Sequence, residues 1–448
     1  MPLTGYFSAF LIYPLVGDYL TAASISLALV TAAFISLFFV VLYIFFYTVS
    51  KSKSIGIMAA MMVIALCFAL FKGRSEPLDN VPTLFAASNV HMFYAKAYNL
   101  YFFYVFPNIL NSIMVLALLR LRLRTQKLSL LPAAQTPYEM AKAGCLLAGI
   151  YFCIFSMLFS AGILLAFAAA VIVCRFVSAG KKNRQPIKEF AKECIRDYNI
   201  LLVIILGTII AMILELQSGR SNAAHHENTY FGSLFDTEFL RRIGEAAVRF
   251  AALFGSMNKL VVLLLFVIIV AAGILYAVKA NSRKNQAIGL LKESLAAMAL
   301  LFLFYIIVAA KAGPKYLGEI WSSYGVFFFL LLAVGLVCVY VLQELKQAGL
   351  FFPLILTIII LLVPNQMWPY YSVSRSQQSD PVRAIIASFV EADSQGITEI
   401  ELYLPERQLE KWQYDWQASL LYAHRVTANR IIINDVKVSP DNSVYFVP

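Results

Sequence analysis

Charge is scarce in this chain: 14% of its 448 residues are Asp, Glu, Lys or Arg, against about a quarter in an ordinary soluble domain. Histidine is scarcer still, at four residues, and none of the six cysteines pairs with another at metal-ligand spacing. Cys67, Cys145, Cys153 and Cys338 lie inside apolar runs, Cys174 closes one and Cys194 sits in a basic stretch. No cysteine occurs after Cys338, so the polar tail carries no disulfide framework. The phosphate-binding glycine loop, the zinc-protease helix and the strained nucleophile turn are all missing. The N-terminus lacks the basic region that precedes a cleavable signal core. These absences exclude the common soluble-enzyme chemistries and direct attention to a membrane.

What fills the chain instead is apolar sequence, 61% of residues with a mean hydropathy of +0.76. A helix needs about 20 predominantly apolar residues to cross the hydrocarbon. Leu20–Val49, Ile55–Lys72, Leu100–Leu119, Ile200–Leu216, Leu260–Val278, Leu290–Ala310, Gly325–Leu342 and Leu350–Val363 read as helices that meet or approach that length. Gly144–Val173 is too long for one comfortable span and has Gly162 near its middle. It reads as two short helices in a hairpin, or as one strongly tilted helix. The expected fold is an all-α polytopic membrane bundle of about 10–11 helices over residues 1–364, then a small α/β domain over residues 365–448.

The net charge of +11 does not point to nucleic acid, because the cations sit between spans. Lys51 and Lys53, then Arg120, Arg122, Arg124 and Lys127, then the Arg175–Arg196 run, then Lys279, Arg283 and Lys284, and finally Lys346 mark alternate loops. The positive-inside rule makes those loops cytoplasmic. External loops at 72–92 and 220–258 and the whole tail then face away from the cytoplasm. Trp321 and Trp368 suit the interfacial aromatic belt on that outer side. The first residues, apolar but too short to cross, suit an amphipathic segment on the outer face.

Smaller signals refine the map. Phe239, Leu240, Ile243, Ala247, Phe250 and Phe254 recur at helical spacing between arginines, as an interfacial helix requires. In the tail, Asp380-Pro381 reads as an N-cap and first helical residue, with Gly396 ending that helix. Ile400, Leu402 and Leu404 alternate as a strand with one wet face; Tyr414–Val426 follows as an amphipathic helix, and Arg430–Val438 and Val444–Val447 as strands.

Candidate chemistry therefore lies at the outer membrane edge, where ionisable groups are costly and tend to serve function. Glu76 and Asp79 are the acids of the first external loop, with Asp18 a third at the start of its span; each could act as a general base. Ordinary solvated carboxylates are the plainer reading of all three. A divalent cation is the cofactor such acids would take. Glu215 and Arg220 leave the bilayer together and could flank a lipid phosphate or form a simple ion pair. Lys311 and Lys315 frame a Gly-Pro turn and could hold phosphate or snorkel. His225-His226-Glu227 has no third or fourth ligand spaced for zinc, and His91 suits capping better than catalysis.

The segments Gly5–Gly17, Met92–Asn111 (with Phe-Pro-Asn at 106–108), Ala310–Tyr316, Phe389–Gly396, Glu399–Pro405 and Ser419–Val426 resemble a glucosyltransferase-like family of polytopic envelope proteins common in Gram-positive bacteria. That family is similar to the C-type glycosyltransferases that use polyprenyl-phosphate sugars. The likeness covers most of the chain through short motifs. It implies single-step inverting transfer of a sugar to an envelope glycan or lipid, in the bacterial cell membrane. It also implies a further membrane helix and an acidic loop ahead of Gly5, and an arginine where this chain has Tyr6. The competing expectation is a non-catalytic polytopic protein, either a lipid-linked glycan transporter or an assembly partner. Near-absence of mid-span charge weighs against ion-coupled transport but not against a scaffold.

Overall fold

The computed structural model describes residues 2–71, 91–93, 100–129, 136–183, 187–216, 237–278, 285–345, 353–354, 357, 375–404, 411–440 and 443–448. Six of its helices are long and apolar enough to span a membrane: Tyr19–Ser50, Tyr101–Thr125, Leu158–Ala179, Val261–Val278, Gln286–Ala312 and Ile320–Leu345. Lys53–Ala69 is a shorter apolar helix, and Pro137–Ile154 and Asn199–Leu216 are further bundle helices of 18 residues each. The chain is a polytopic helical membrane protein with a small sheet-containing C-terminal domain, as its composition requires. The apolar run Leu350–Val363 falls almost wholly outside the described residues.

Local chemistry sets several helix ends. The Ser52 hydroxyl accepts from the Ile55 N–H, Thr136 accepts from Glu139 with Pro137 next in line, and Asn285 accepts from Ala287. The chain leaves Phe106–Thr125 through Gln126 in the left-handed region, at φ 61°.

The chain divides into two compact units, one of Met1–Ala33, Pro77–Phe85 and Tyr370–Pro448, the other of Phe34–Glu76 and Ala86–Pro369. The second unit is the bundle. Ile320–Leu345 is its centre, with 94% of its apolar window buried, whereas only 22% of the Val261–Val278 window is. Leu206, Leu263 and Phe266 stand more than half exposed. A soluble protein would bury such residues; here lipid covers them, and helix contact comes instead from close packing and interhelical hydrogen bonds.

Those hydrogen bonds involve residues whose part was not evident from sequence. Asn108 donates from Nδ2 to the Trp321 carbonyl at 2.6 Å and accepts from the Ser160 hydroxyl at 2.7 Å, tying three helices together. The Tyr305 hydroxyl donates to the Phe159 carbonyl at 2.8 Å. Trp321 is 7% exposed with its ring against Tyr104, so it is a bundle residue and not part of an interfacial belt.

Three expectations change in detail. The Gly144–Val173 stretch does form two helices, Pro137–Ile154 and Leu158–Asn183, but the break falls at Phe155–Met157. Gly162 lies within the second helix, where a Cβ would come within 2.6 Å of Phe304 Cε1; it serves close packing and not a turn. Part of the Arg175–Arg196 run is helix, not loop: Ile187–Asp197 meets Asn199–Glu215 at 90°. Arg122 is 8% exposed and makes two hydrogen bonds to Glu293, so it is a bundle residue and not a loop cation.

The first unit holds the tail. Glu399–Leu404 (β1) is the middle strand, parallel to Ile432–Val438 (β2) and antiparallel to Tyr445–Val447 (β3). Lys411–Ala423 lies between β1 and β2 in sequence, which makes a βαβ unit. Ile400, Leu402 and Leu404 point into a core with Phe389, Tyr414 and Ile433, as their alternation predicts. Gly396 ends the preceding helix at φ 73°. That helix runs Arg375–Ser394, so Asp380-Pro381 lies inside it; a proline there removes one backbone donor without ending the helix. The N-terminal residues form helical segments Pro2–Phe7, Ser8–Ile12 and Tyr13–Val16, closed by Gly17 at φ 72°. Their small residues Thr4, Gly5, Ser8 and Ala9 are buried, while Phe10, Leu11 and Leu15 are more than half exposed.

Candidate functional site

Asp18 stands at the N-terminus of Tyr19–Ser50, where its carboxylate caps the helix. Oδ1 accepts the Leu20 N–H at 3.0 Å, and Oδ2 accepts the Thr21 hydroxyl at 2.7 Å. Arg383, from Arg375–Ser394, donates through Nε to the same Oδ2 at 3.0 Å and through a second nitrogen to Thr21 at 3.3 Å. Burial alone would raise this carboxyl. The Thr21 hydroxyl, the Arg383 guanidinium and the Leu20 amide outweigh it and hold Asp18 below the ordinary carboxylate range.

Beside this pair lies a residue that the sequence did not single out. His424, just past the end of Lys411–Ala423, bonds through Nδ1 to the Tyr19 hydroxyl. The Tyr6 ring meets it edge-on at 6.1 Å, and a Cβ at Gly5 would overlap it. Burial pushes the imidazole below its ordinary value, which favours its neutral form. Two of the segments that carry the family resemblance, Gly5–Gly17 and Ser419–Val426, thus meet through Gly5 and His424. A third, Phe389–Gly396, works structurally: the Asp393 carboxylate accepts the backbone N–H groups of Ala428 and Asn429 at 2.7 and 2.8 Å, anchoring the turn that follows His424.

In the bundle unit two of the cationic candidates, Lys311 and Lys315, lie at the end of Gln286–Ala312 and in the turn that follows it. Thr237–Gly255 is an amphipathic helix as expected, and the Pro314–Gly318 turn packs on it. The Lys311 ammonium lies 5.5 Å from the centre of the Phe239 ring. Gly318 sits over Arg249, whose guanidinium is 3.9 Å from Glu245 one turn away. Lys315 is exposed on the turn itself. Glu215 is exposed at the end of Asn199–Leu216.

Glu76, Asp79, Arg220, His225, His226 and Glu227 lie outside the described residues. His91 accepts the Phe93 N–H through Nδ1 at 3.2 Å, a local turn bond. Among the described residues no group of three His, Cys, Asp or Glu is placed to hold a metal ion. All six cysteines are unpaired. No family model, curated protein or solved structure matches this chain.

Proposed function

We propose that the protein is a bacterial plasma-membrane glycosyltransferase of the C-type polytopic class. It moves a sugar from a polyprenyl-phosphate donor to an envelope glycan or lipid on the outer face. The observation that carries this reading is the cationic rim of Thr237–Gly255 and its packed turn, with Arg249, Lys311 and Lys315 at the edge of a lipid-covered bundle. A departing polyprenyl phosphate gains negative charge as the glycosidic bond breaks, and fixed cations at the hydrocarbon boundary oppose that charge. Glu215 and Arg220 extend the rim in sequence. An acid, Glu76 or Asp79 with Asp18 as the third candidate, takes the acceptor hydroxyl proton. Asp18 is ion-paired with Arg383, which lowers its strength as a base.

The test is sugar transfer from a radiolabelled polyprenyl-phosphate sugar by the full chain in proteoliposomes. Removing one charged hydrogen bond to phosphate costs about 1.5–3 kcal/mol. The Lys311→Gln/Lys315→Gln double variant is therefore expected to lose roughly tenfold or more in kcat/KM. Glu76→Gln or Asp79→Asn is expected to abolish turnover while donor binding persists. Unchanged transfer in the lysine double variant, Glu76→Gln, Asp79→Asn and Asp18→Asn alike removes the enzymatic assignment.

A further inference from the structure

We infer that the Ile187–Asp197 helix binds anionic phospholipid headgroups of the leaflet in which it lies. It meets Asn199–Glu215, an apolar helix of the bundle, at 90°. With that helix crossing the bilayer, Ile187–Asp197 lies in the plane of the membrane surface. The bend is held rigidly. The Leu128 N–H donates to the Asp197 carbonyl at 2.8 Å, the Ile200 N–H to the Leu128 carbonyl at 3.2 Å, and the Tyr198 hydroxyl to the Gln126 carbonyl at 3.2 Å. The Arg175 guanidinium covers the Tyr198 ring at 4.1 Å.

The helix divides its residues by face with unusual consistency. Cys194 and Asp197 are buried, and Phe190 packs on Phe176. Two of its three acids are already neutralised by the protein: Glu193 by Arg175 at 3.1 Å, and Asp197 by Lys127 at 3.0 Å and Arg196 at 2.8 Å. The outward face carries two parallel rows at four-residue spacing. Ile187, Ala191 and Ile195 form an apolar row, with Ile187 73% and Ile195 64% exposed. Lys188 and Lys192 form a cationic row beside it, both exposed, while Arg196 at its end is shared with Asp197 and Glu189 is exposed at its edge. An apolar row abutting a basic one is what an interfacial helix presents to acyl chains and phosphates at once. The same rows on a water-facing helix would leave two isoleucines in solvent for no gain. Charge complementarity selects the occupant, an anionic lipid over a zwitterionic one.

The experiment places a photo-crosslinking amino acid at Ile195 of the full chain, in vesicles of equal phosphatidylglycerol and phosphatidylcholine. Lipid adducts are counted by mass spectrometry. Phosphatidylglycerol adducts should predominate. The ratio should fall by roughly fivefold or more in the Lys188→Gln/Lys192→Gln variant, and should shrink as salt is raised. Equal adduct yields for the two lipids, a ratio unmoved by the double variant, or crosslinks to protein in place of lipid would overturn the inference. The outcome is independent of whether the protein transfers sugar.

Discussion

Glu293→Ala is expected to destabilise the bundle by about 3–5 kcal/mol, the cost of leaving a buried charge without its partner. Arg122 lies in the last turn of Phe106–Thr125 and Glu293 in the second turn of Gln286–Ala312, 171 residues apart in sequence. Both guanidinium nitrogens engage the two carboxylate oxygens, one at 3.1 Å and the other closer, in the forked geometry that arginine and carboxylate share. Their side chains are only 9% and 18% exposed, so water cannot replace the missing partner. Arg122→Leu/Glu293→Leu together should recover most of the loss, because an apolar pair of similar volume avoids the desolvation cost. Steric-trapping measurements of the full chain in bicelles would read both values. A single variant within about 1 kcal/mol of the parent would show that the pair is hydrated and not buried.

Gly335→Leu is the second large effect, with a loss of about 3 kcal/mol from overpacking. Gly335 lies in the middle of Ile320–Leu345, the most enclosed helix of the bundle. A Cβ there would overlap the Phe46 ring and reach 2.9 Å from Val63 Cγ2. Phe46 is fully buried and Val63 is 2% exposed, and valine is stiff at χ1, so neither yields cheaply. Two neighbouring helices, Tyr19–Ser50 and Lys53–Ala69, would have to move away together. Small residues at such crossings let membrane helices approach closely, where packing and not the hydrophobic effect holds them. Gly144→Leu is the control, since nothing lies within 4 Å of a Cβ there. Equal stability of the two leucine variants, by the same measurement, would contradict the packing argument.

Much of the architecture was legible because it follows from composition over long windows. Runs such as Leu260–Val278 cannot be anything but membrane or core helix. Ile400, Leu402 and Leu404 alternate against glutamates, and the strand buries those three. The spacing of Phe239, Phe250 and Phe254 marks an amphipathic helix wherever it sits. What was not legible depends on partners distant in sequence. Glu293 falls inside the apolar run Leu290–Ala310, and nothing local in the sequence names Arg122 as its partner. Trp321 looks like a belt residue until Tyr104 and Asn108 enclose it. His424 is one imidazole in a tail motif, and only the N-terminal segment, some 400 residues away, gives it a tyrosine hydroxyl and a glycine to rest on. The two rows of Ile187–Asp197 were readable at four-residue spacing, but its charge content disguised them as loop.

Outer-face sugar transfer requires the cationic rim of Thr237–Gly255 and the tail to face away from the cytoplasm, where polyprenyl-linked sugars would be used. Fusing a reporter after Pro448 measures this directly. Alkaline phosphatase at that position should be active, and green fluorescent protein exported through the general secretory route should stay dark. Bright fluorescence with silent phosphatase would place the tail in the cytosol and contradict the proposed outer-face transfer.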